Sequence, residues 1–377
     1  MSKIVNLFVD KAIAILSKYK DNQERKDYLD EIRSSYKKLS DKKQLSKEQI
    51  NEIETYYQKL IGEKVPLEWH QYFYSRTGIY SKMYFPTSVY RTKIMGRLND
   101  YTLKLAYSDK NISDLILKDA PQPKTILKNM NGYYYWGCQA VSEEEAVRLC
   151  ANIGDVIIKP SLLSRGRGVQ KLSLQNGINQ ENKQSIKDIF QSYKNNFLIQ
   201  ELIFQHAGME ALNPSSINTI RILTYRSGME VKPVYTVVRI GRKGQPIDNE
   251  SAGGISAKIY KNGTIAKYAY GAPGVDKVEY TDSGVKLDGY QIPSFEQAIA
   301  LVKGLHLNLP FFNVVGWDIC ISKDGSPIMI EYNVNPDLSQ SANGPAFGDD
   351  TEMIVKDAMR HRNTWTRLTH DAIYKKI

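Results

Sequence analysis

Val315-Gly-Trp-Asp-Ile-Cys-Ile321, then Lys323-Asp-Gly-Ser326, then Ile328-Met-Ile-Glu-Tyr-Asn-Val-Asn335, are two apolar runs on either side of a turn signal. Gly tolerates positive φ and Asp bonds its own backbone, so Lys-Asp-Gly-Ser is turn chemistry and the runs read as paired antiparallel strands. Each run carries a carboxylate, which is expensive to bury unless a partner compensates. Glu331 and Asn333 are two residues apart, so their side chains share one face of the sheet. Asp318 meets them from the neighbouring strand. Two carboxylates and an amide oxygen form a hard-oxygen donor set suited to Mg²⁺ carried on nucleotide phosphates. The alternative, ordinary solvated strand polarity, fits poorly with the apolar residues on both sides.

Working outward, residues 155–169 place Lys159 at the end of an apolar strand, beside a loop containing Ser161, Ser164, Gly166 and Gly168. Glycines let the backbone approach closely, so N–H groups can face phosphate oxygens while the lysine adds charge. A strand follows the loop, so it is neither a Walker A nor a Rossmann turn, which both open helices. A basic hairpin turn is the other reading. Phe197–Ile203 is an apolar strand with a polar end, offering backbone groups and Glu201 to a nucleoside. Arg221 and Arg239 sit inside apolar strands, and a buried guanidinium needs an anionic partner. That partner is either a structural carboxylate or a transferring phosphoryl group.

Around these pieces, residues 1–108 read as helical, with a capping box at Ser46-Lys-Glu-Gln49 and Gly62 as the C-terminal cap. Ile4, Leu7, Phe8, Ala12, Ile15 and Leu16 recur at helical spacing, which predicts an amphipathic helix docked on its own domain, with a membrane surface as the alternative. The aromatic cluster from Tyr72 to Tyr90 reads as core. Asn131-Gly132 marks a hairpin. From there strands and helices mix without regular βαβ alternation, predicting an α+β fold. The net charge of +10 favours anionic partners such as phosphates or acidic glycan. Three cysteines, without Cys-x-x-Cys spacing, imply no disulfide framework and fit a reducing, cytoplasmic setting. No transmembrane segment is expected.

Taken in order, these pieces resemble the ATP-grasp superfamily: Asp109-Lys110, Pro121-x-Pro-x-Thr125, Ile157-Ile-Lys-Pro160, the Gly-rich loop, Gln200-Glu201, the arginine strand, and Asp318 with Glu331-x-Asn333. The chain looks most like the sugar-transfer-associated ATP-grasp family, through Tyr107-Ser-Asp-Lys110, Asn213-Pro-Ser, Asn218-Thr-Ile-Arg221, Arg239-Ile-Gly241, Asp248-Asn249, Gly253-Gly254 and Asn335. The resemblance implies two α+β subdomains, 109–202 and 203–377, sandwiching ATP beside the helical region 1–108. It implies that Lys110 and Lys159 hold phosphates, that Gln200, Glu201 and Ile203 meet the adenosine, and that Asp318, Glu331 and Asn333 bind Mg²⁺, two ions being expected. Arg221 and Arg239 would be the catalytic cations. The nucleotide loop departs from the usual pattern in reading Ser164-Arg-Gly-Arg-Gly168.

The activity implied is ADP-forming ligation of a carboxylate and an amine through an acyl phosphate, joining an amino acid to a sugar acid in surface-polysaccharide assembly. Asn249, Gly253, Gly254 and Asn335 would touch the acceptor, the loop from Gly241 to Gly254 acting as a lid. A kinase acting on a sugar hydroxyl is the nearest rival. A non-catalytic binder of anionic polymer is the rival of another class, and no nucleic-acid partner is expected.

Overall fold

The computed structural model describes residues 3–164, 166–242, 244, 248, 250–275, 277–361 and 363–364. The first stretch is helical: α1 (Lys3–Lys37), α2 (Lys47–Ile61) and α3 (Glu68–Thr77). The Ser46 hydroxyl accepts from the Gln49 N–H and the Gln49 side chain returns to Ser46, so the capping box forms as expected. Gly62 closes α2 at φ 74°, a left-handed conformation that favours glycine.

Two antiparallel sheets follow. The first contains β1 (Thr125–Met130), β2 (Tyr133–Trp136), β3 (Gln139–Val141), β4 (Gly154–Pro160), β5 (Gln170–Gln175), β6 (Ile178–Asn179) and β7 (Phe197–Glu201), in the order β3-β2-β1-β7-β4-β5-β6. Asn131 and Gly132 both take positive φ, 53° and 91°, which is what a tight two-residue hairpin requires. Helices α4 (Glu143–Cys150) and α5 (Ile186–Tyr193) cover one face, packing Ala146, Ile189 and Phe190 on Val156, Ile158 and Ile199. The second sheet contains β8 (Thr219–Ser227), β9 (Glu230–Ile240), β10 (Ile255–Ile259), β11 (Ile265–Tyr270), β12 (Val314–Ile321) and β13 (Pro327–Asn333), in the order β11-β10-β9-β8-β12-β13.

Period-two alternation gives this second sheet two different faces. Ile220, Val238, Trp317 and Ile319 turn towards α6 (Phe295–His306), where they meet Ala298 and Val302. Val237 and Val314 turn the other way, onto Ile53, Tyr57, Phe85 and Ile94 of the N-terminal helices and onto Ile354 and Val355 of α7 (Thr351–Arg360). Arg221, Arg239 and Asp318 share the parity of that second face. The helical region and the charged residues therefore lie on the same side of one sheet.

The N-terminal stripe departs from expectation. Ile15 is 69% and Leu16 54% exposed, and Ala12 is exposed too, so this part of the stripe does not dock. α1 docks through its C-terminal half, where Ile32 packs with Trp69, Tyr72 and Phe73. The side chains of Ile4, Leu7 and Phe8 lie outside the described residues. No helix among the described residues is long and apolar enough to cross a membrane. Cys138 is an exposed free thiol, and Cys150 and Cys320 are buried ones.

Candidate active site

A cleft of about 700 Å³ opens between the sheets. Strand register builds its charged wall. Asp318 on β12 stands opposite Arg221 on β8 and opposite Glu331 on β13, so the three form one row across neighbouring strands. Gly316 is opposite Asn333, one step along the same face. A side chain at Gly316 would come within 2.9 Å of Pro336 Cβ, so glycine is what lets the loop after β13 fold back over the row.

The row is electrically paired. Arg221 Nε and Nη2 donate to the two oxygens of Asp318 at 2.5 and 2.7 Å, and Arg239 Nη1 reaches the same carboxylate at 3.4 Å. Burial alone would push the Asp318 pKa up, but Arg221 and Arg239 together hold it below the ordinary carboxylate value. Lys110 Nζ lies 3.4 Å from Glu331 and donates to the Leu163 carbonyl at 2.8 Å, tying the loop over β4 to the second sheet. Lys159 is half-buried in the cleft. Desolvation lowers its ammonium pKa to about 8, opposed by Glu331 and reinforced by Lys110.

Most of the residues expected at a site converge here. Lys110, Lys159, Ser164, Gly166, Gln200, Glu201, Ile203, Arg221, Arg239, Asp318, Glu331, Asn333 and Asn335 all line the cleft. Their offices differ from expectation in places. Gln200 donates to the Thr125 hydroxyl at 3.0 Å and to the Pro123 carbonyl, so it braces the strand end, while Glu201 leaves its side chain largely exposed. Ser161 is fully buried and absent from the lining. Its backbone N–H and carbonyl serve Asn196 and Lys110. Gly168 also stays off the lining, and its φ of 72° and close approach to Pro160 give it a packing reason. Gly253 and Gly254 do not line the cleft, and Asn249 lies outside the described residues. So do Lys243 and residues 245–247 of the expected lid.

Two groups in the cleft carried no assigned role from the sequence, Asp248 having been named only within the Asp248-Asn249 motif. Asp248 lines the cleft and accepts from both the N–H and the hydroxyl of Thr219, and burial pushes its pKa up to about 6 against the pull of Arg239. Arg91 also lines it, and with Lys93 and Arg97 close by nothing in the local sequence sets it apart.

The donor chemistry fits Mg²⁺. Asp318, Glu331 and Asn333 offer hard oxygens on one face, and a carboxylate oxygen already bonded to Arg221 keeps a second lone pair. Two antiparallel sheets closing on a cleft that pairs these oxygens with Lys110, Lys159, Arg221 and Arg239 form the architecture of an ATP-grasp enzyme. The sequence profile of the sugar-transfer associated ATP-grasp family matches residues 90–355, and the chain belongs to that family.

None of the curated proteins matches the chain. Among solved structures, it is similar to D-alanine–D-alanine ligase from Bacillus anthracis, at 13% identity and TM-score 0.40, over 73% of this chain and 72% of that one. It is similar to the ATP-grasp ligase PsnB complexed with Mg and ADP, at 13% identity and TM-score 0.37, over 70% of this chain and 61% of that one. The L-amino acid ligase from Bacillus licheniformis gives 12% identity and TM-score 0.35, over 68% of this chain and 48% of that one. The chain thus spans less than two thirds of the length of the last two. The family match alone places it.

Proposed function

We propose that this protein is an ATP-dependent carboxylate–amine ligase, joining an amino acid and a sugar acid by an amide bond in surface-polysaccharide assembly. The observation that carries the ligase reading is the row Arg221–Asp318–Glu331 at the wall of one cleft with Lys110, Lys159 and Arg239. Such a set can hold a polyphosphate and neutralise charge as it moves. A carboxylate oxygen of the acid attacks the γ-phosphorus, the bond to ADP breaks, and an acyl phosphate forms. The amine nitrogen then attacks the acyl carbon, the bond to phosphate breaks, and the nitrogen's proton leaves with the phosphate. No side-chain nucleophile is needed.

In this reading Lys110 and Lys159 hold phosphates, the loop at Ser164 and Gly166 covers them, and Glu201 and Ile203 meet the nucleoside. Arg239, held only loosely by Asp318, takes the transferring phosphoryl group. Arg221 is a positioning residue, since its fork is occupied by Asp318. Asp318, Glu331 and Asn333 would hold Mg²⁺, which when bound supplies Lewis-acid stabilisation of phosphate charge. The polysaccharide setting rests on the family's description and on the net charge of +10.

The test is a panel of amino acids and uronic-acid sugars scored for ADP and free phosphate. A ligase releases both only with an acid and an amine together. ADP release with a sugar alone and no free phosphate would make the chain a kinase. AMP and pyrophosphate would contradict both readings. ADP release driven by amino acids alone, unchanged by a uronic-acid glycan, would remove the sugar acid.

A further inference from the structure

The two halves of α1 have different surroundings. The C-terminal half is held by the body: Arg25 donates to the Thr92 hydroxyl at 3.0 Å and to Glu63 at 3.1 Å, and Ile32 packs with Trp69, Tyr72 and Phe73. The N-terminal half carries Ala12, Ile15, Leu16 and Tyr19, all exposed, Tyr19 to 71%. A helix turns about 100° per residue, so these four share an arc of about 100°. Arg25, Leu29, Ile32 and Tyr36 define the docked face, and the exposed stripe is centred about 120° away from it. The stripe is therefore not a frayed continuation of the docking face. It looks away from the body, and an exposed apolar stripe marks an interaction surface.

Its borders are cationic. Lys11 and Lys18 lie about 40–60° beyond Ile15 on one side, and Lys20 lies about 40° beyond Leu16 on the other. All three lysines are exposed, Lys20 standing 3.7 Å from Glu24 one turn on. No acidic residue occurs between Lys11 and Lys20. Asp21 is about half a turn round from the stripe, and Asp10 shares that side by spacing.

Cations on both borders decide between occupants. A second copy of this chain would set lysine against lysine along each edge, where paired helices carry opposite charges. An anionic lipid surface satisfies stripe and borders together. The apolar side chains enter the acyl boundary, while the lysine stems lie along it and carry their ammonium groups out to phosphate. Tyrosine, with an apolar ring and a polar tip, suits the same boundary.

We propose that the N-terminal half of α1 lies flat on an anionic lipid surface, with Ala12, Ile15, Leu16 and Tyr19 inserted and Lys11, Lys18 and Lys20 on headgroup phosphates. The helix rests on the bilayer and does not cross it. Further along, α1 supplies Tyr28, Ile32 and Ser35 to the cleft wall, so attachment holds the cleft within about 30 Å of the surface. The inference stands without the ligase reading.

The test is co-sedimentation of the full chain with vesicles of phosphatidylglycerol, and of phosphatidylcholine alone, at low and high salt. Binding to phosphatidylglycerol should weaken with salt and should exceed binding to phosphatidylcholine at least about tenfold. Ile15→Ser with Leu16→Ser changes two exposed positions, so this variant should melt as the unaltered protein does. Its vesicle binding should fall at least about tenfold. Lys11→Gln and Lys18→Gln should each weaken binding about fivefold. Absence of binding, equal binding to the two lipids, or unchanged binding by the double serine variant would overturn the inference. A dimer seen by sedimentation equilibrium without vesicles, and lost in the double serine variant, would also overturn it by giving the stripe to a second copy.

Discussion

Arg221 and Asp318 stand directly opposite each other on β8 and β12, and the guanidinium grips both carboxylate oxygens. Both side chains are about 90% buried or more. The pair is therefore an anchor of the second sheet as well as part of the cleft wall.

Asp318→Asn should consequently do two things. It should abolish turnover, and it should destabilise the fold by about 3–5 kcal/mol, because Arg221 is left buried without its counter-charge. From sequence alone the fold would be expected to survive this change nearly intact. The pair should also carry an acid signature. Asp318 has a depressed pKa in the fold, so its contribution is fully present above the unfolded value of about 3.9 and is lost as pH falls towards the lower folded value. Chemical denaturation of both proteins between pH 2 and 7 checks this: the gap between them should shrink at the acid end.

Lys159→Ala should weaken MgADP binding about ten- to hundredfold, the scale of a lost charge-assisted contact. The pH dependence has a definite sign. The free enzyme's Lys159 is charged below about 8, so nucleotide affinity should fall as pH rises past that value. Between about 8 and the ordinary 10.5 the unfolded chain binds more protons at this site, so its contribution to stability rises over the same window. Binding measured from pH 6 to 10 should show the fall in the native protein and a flatter profile in Lys159→Ala. A fall of equal size in both would remove Lys159 from phosphate binding.

Glu331→Gln separates metal binding from folding. The Glu331 side chain is partly exposed, and its cation partner, Lys110, is 3.4 Å away. Melting should shift by no more than about 0.5 kcal/mol in stability. Mg²⁺-dependent ADP release should drop about 100-fold or more. Full activity with Mg²⁺ would show that Glu331 is not a metal ligand.

Gly316→Ala tests the loop over the row. The added methyl would sit 2.9 Å from Pro336 Cβ and 3.7 Å from Arg221. Overpacking of this kind should cost about 1–3 kcal/mol and displace the segment 335–338. Thermal denaturation reads the first effect and nucleotide affinity the second. An unchanged melting temperature would mean the loop adjusts freely.

Much of the site was legible because it is local. Glu331 and Asn333 declare a shared face by spacing alone, and the Lys323–Ser326 turn brings Asp318 alongside them. The hairpin at Asn131-Gly132 and the caps at Ser46 and Gly62 are likewise written in a few adjacent residues. The rest depends on distant packing. Trp69, Tyr72 and Phe73 read as core and are core. That the same rings also face the cleft follows from α1 and α3 lying on the Arg221 side of the second sheet, which local pattern does not encode. Arg221 was open between carboxylate and phosphoryl group until strand register set Asp318 opposite it.

The Phe85 N–H donates to Gln340, 255 residues later in the chain, and the Gln340 amide returns to the Phe85 carbonyl. During synthesis at about 5–20 residues per second, Phe85 emerges roughly 10–50 s before that partner. For most of that interval the apolar face of α2 lacks β12, and for all of it α7. The packing of α2 on the second sheet is thus among the last parts of the molecule to close, and a nascent chain halted before residue 340 would display the bare surface that chaperones bind.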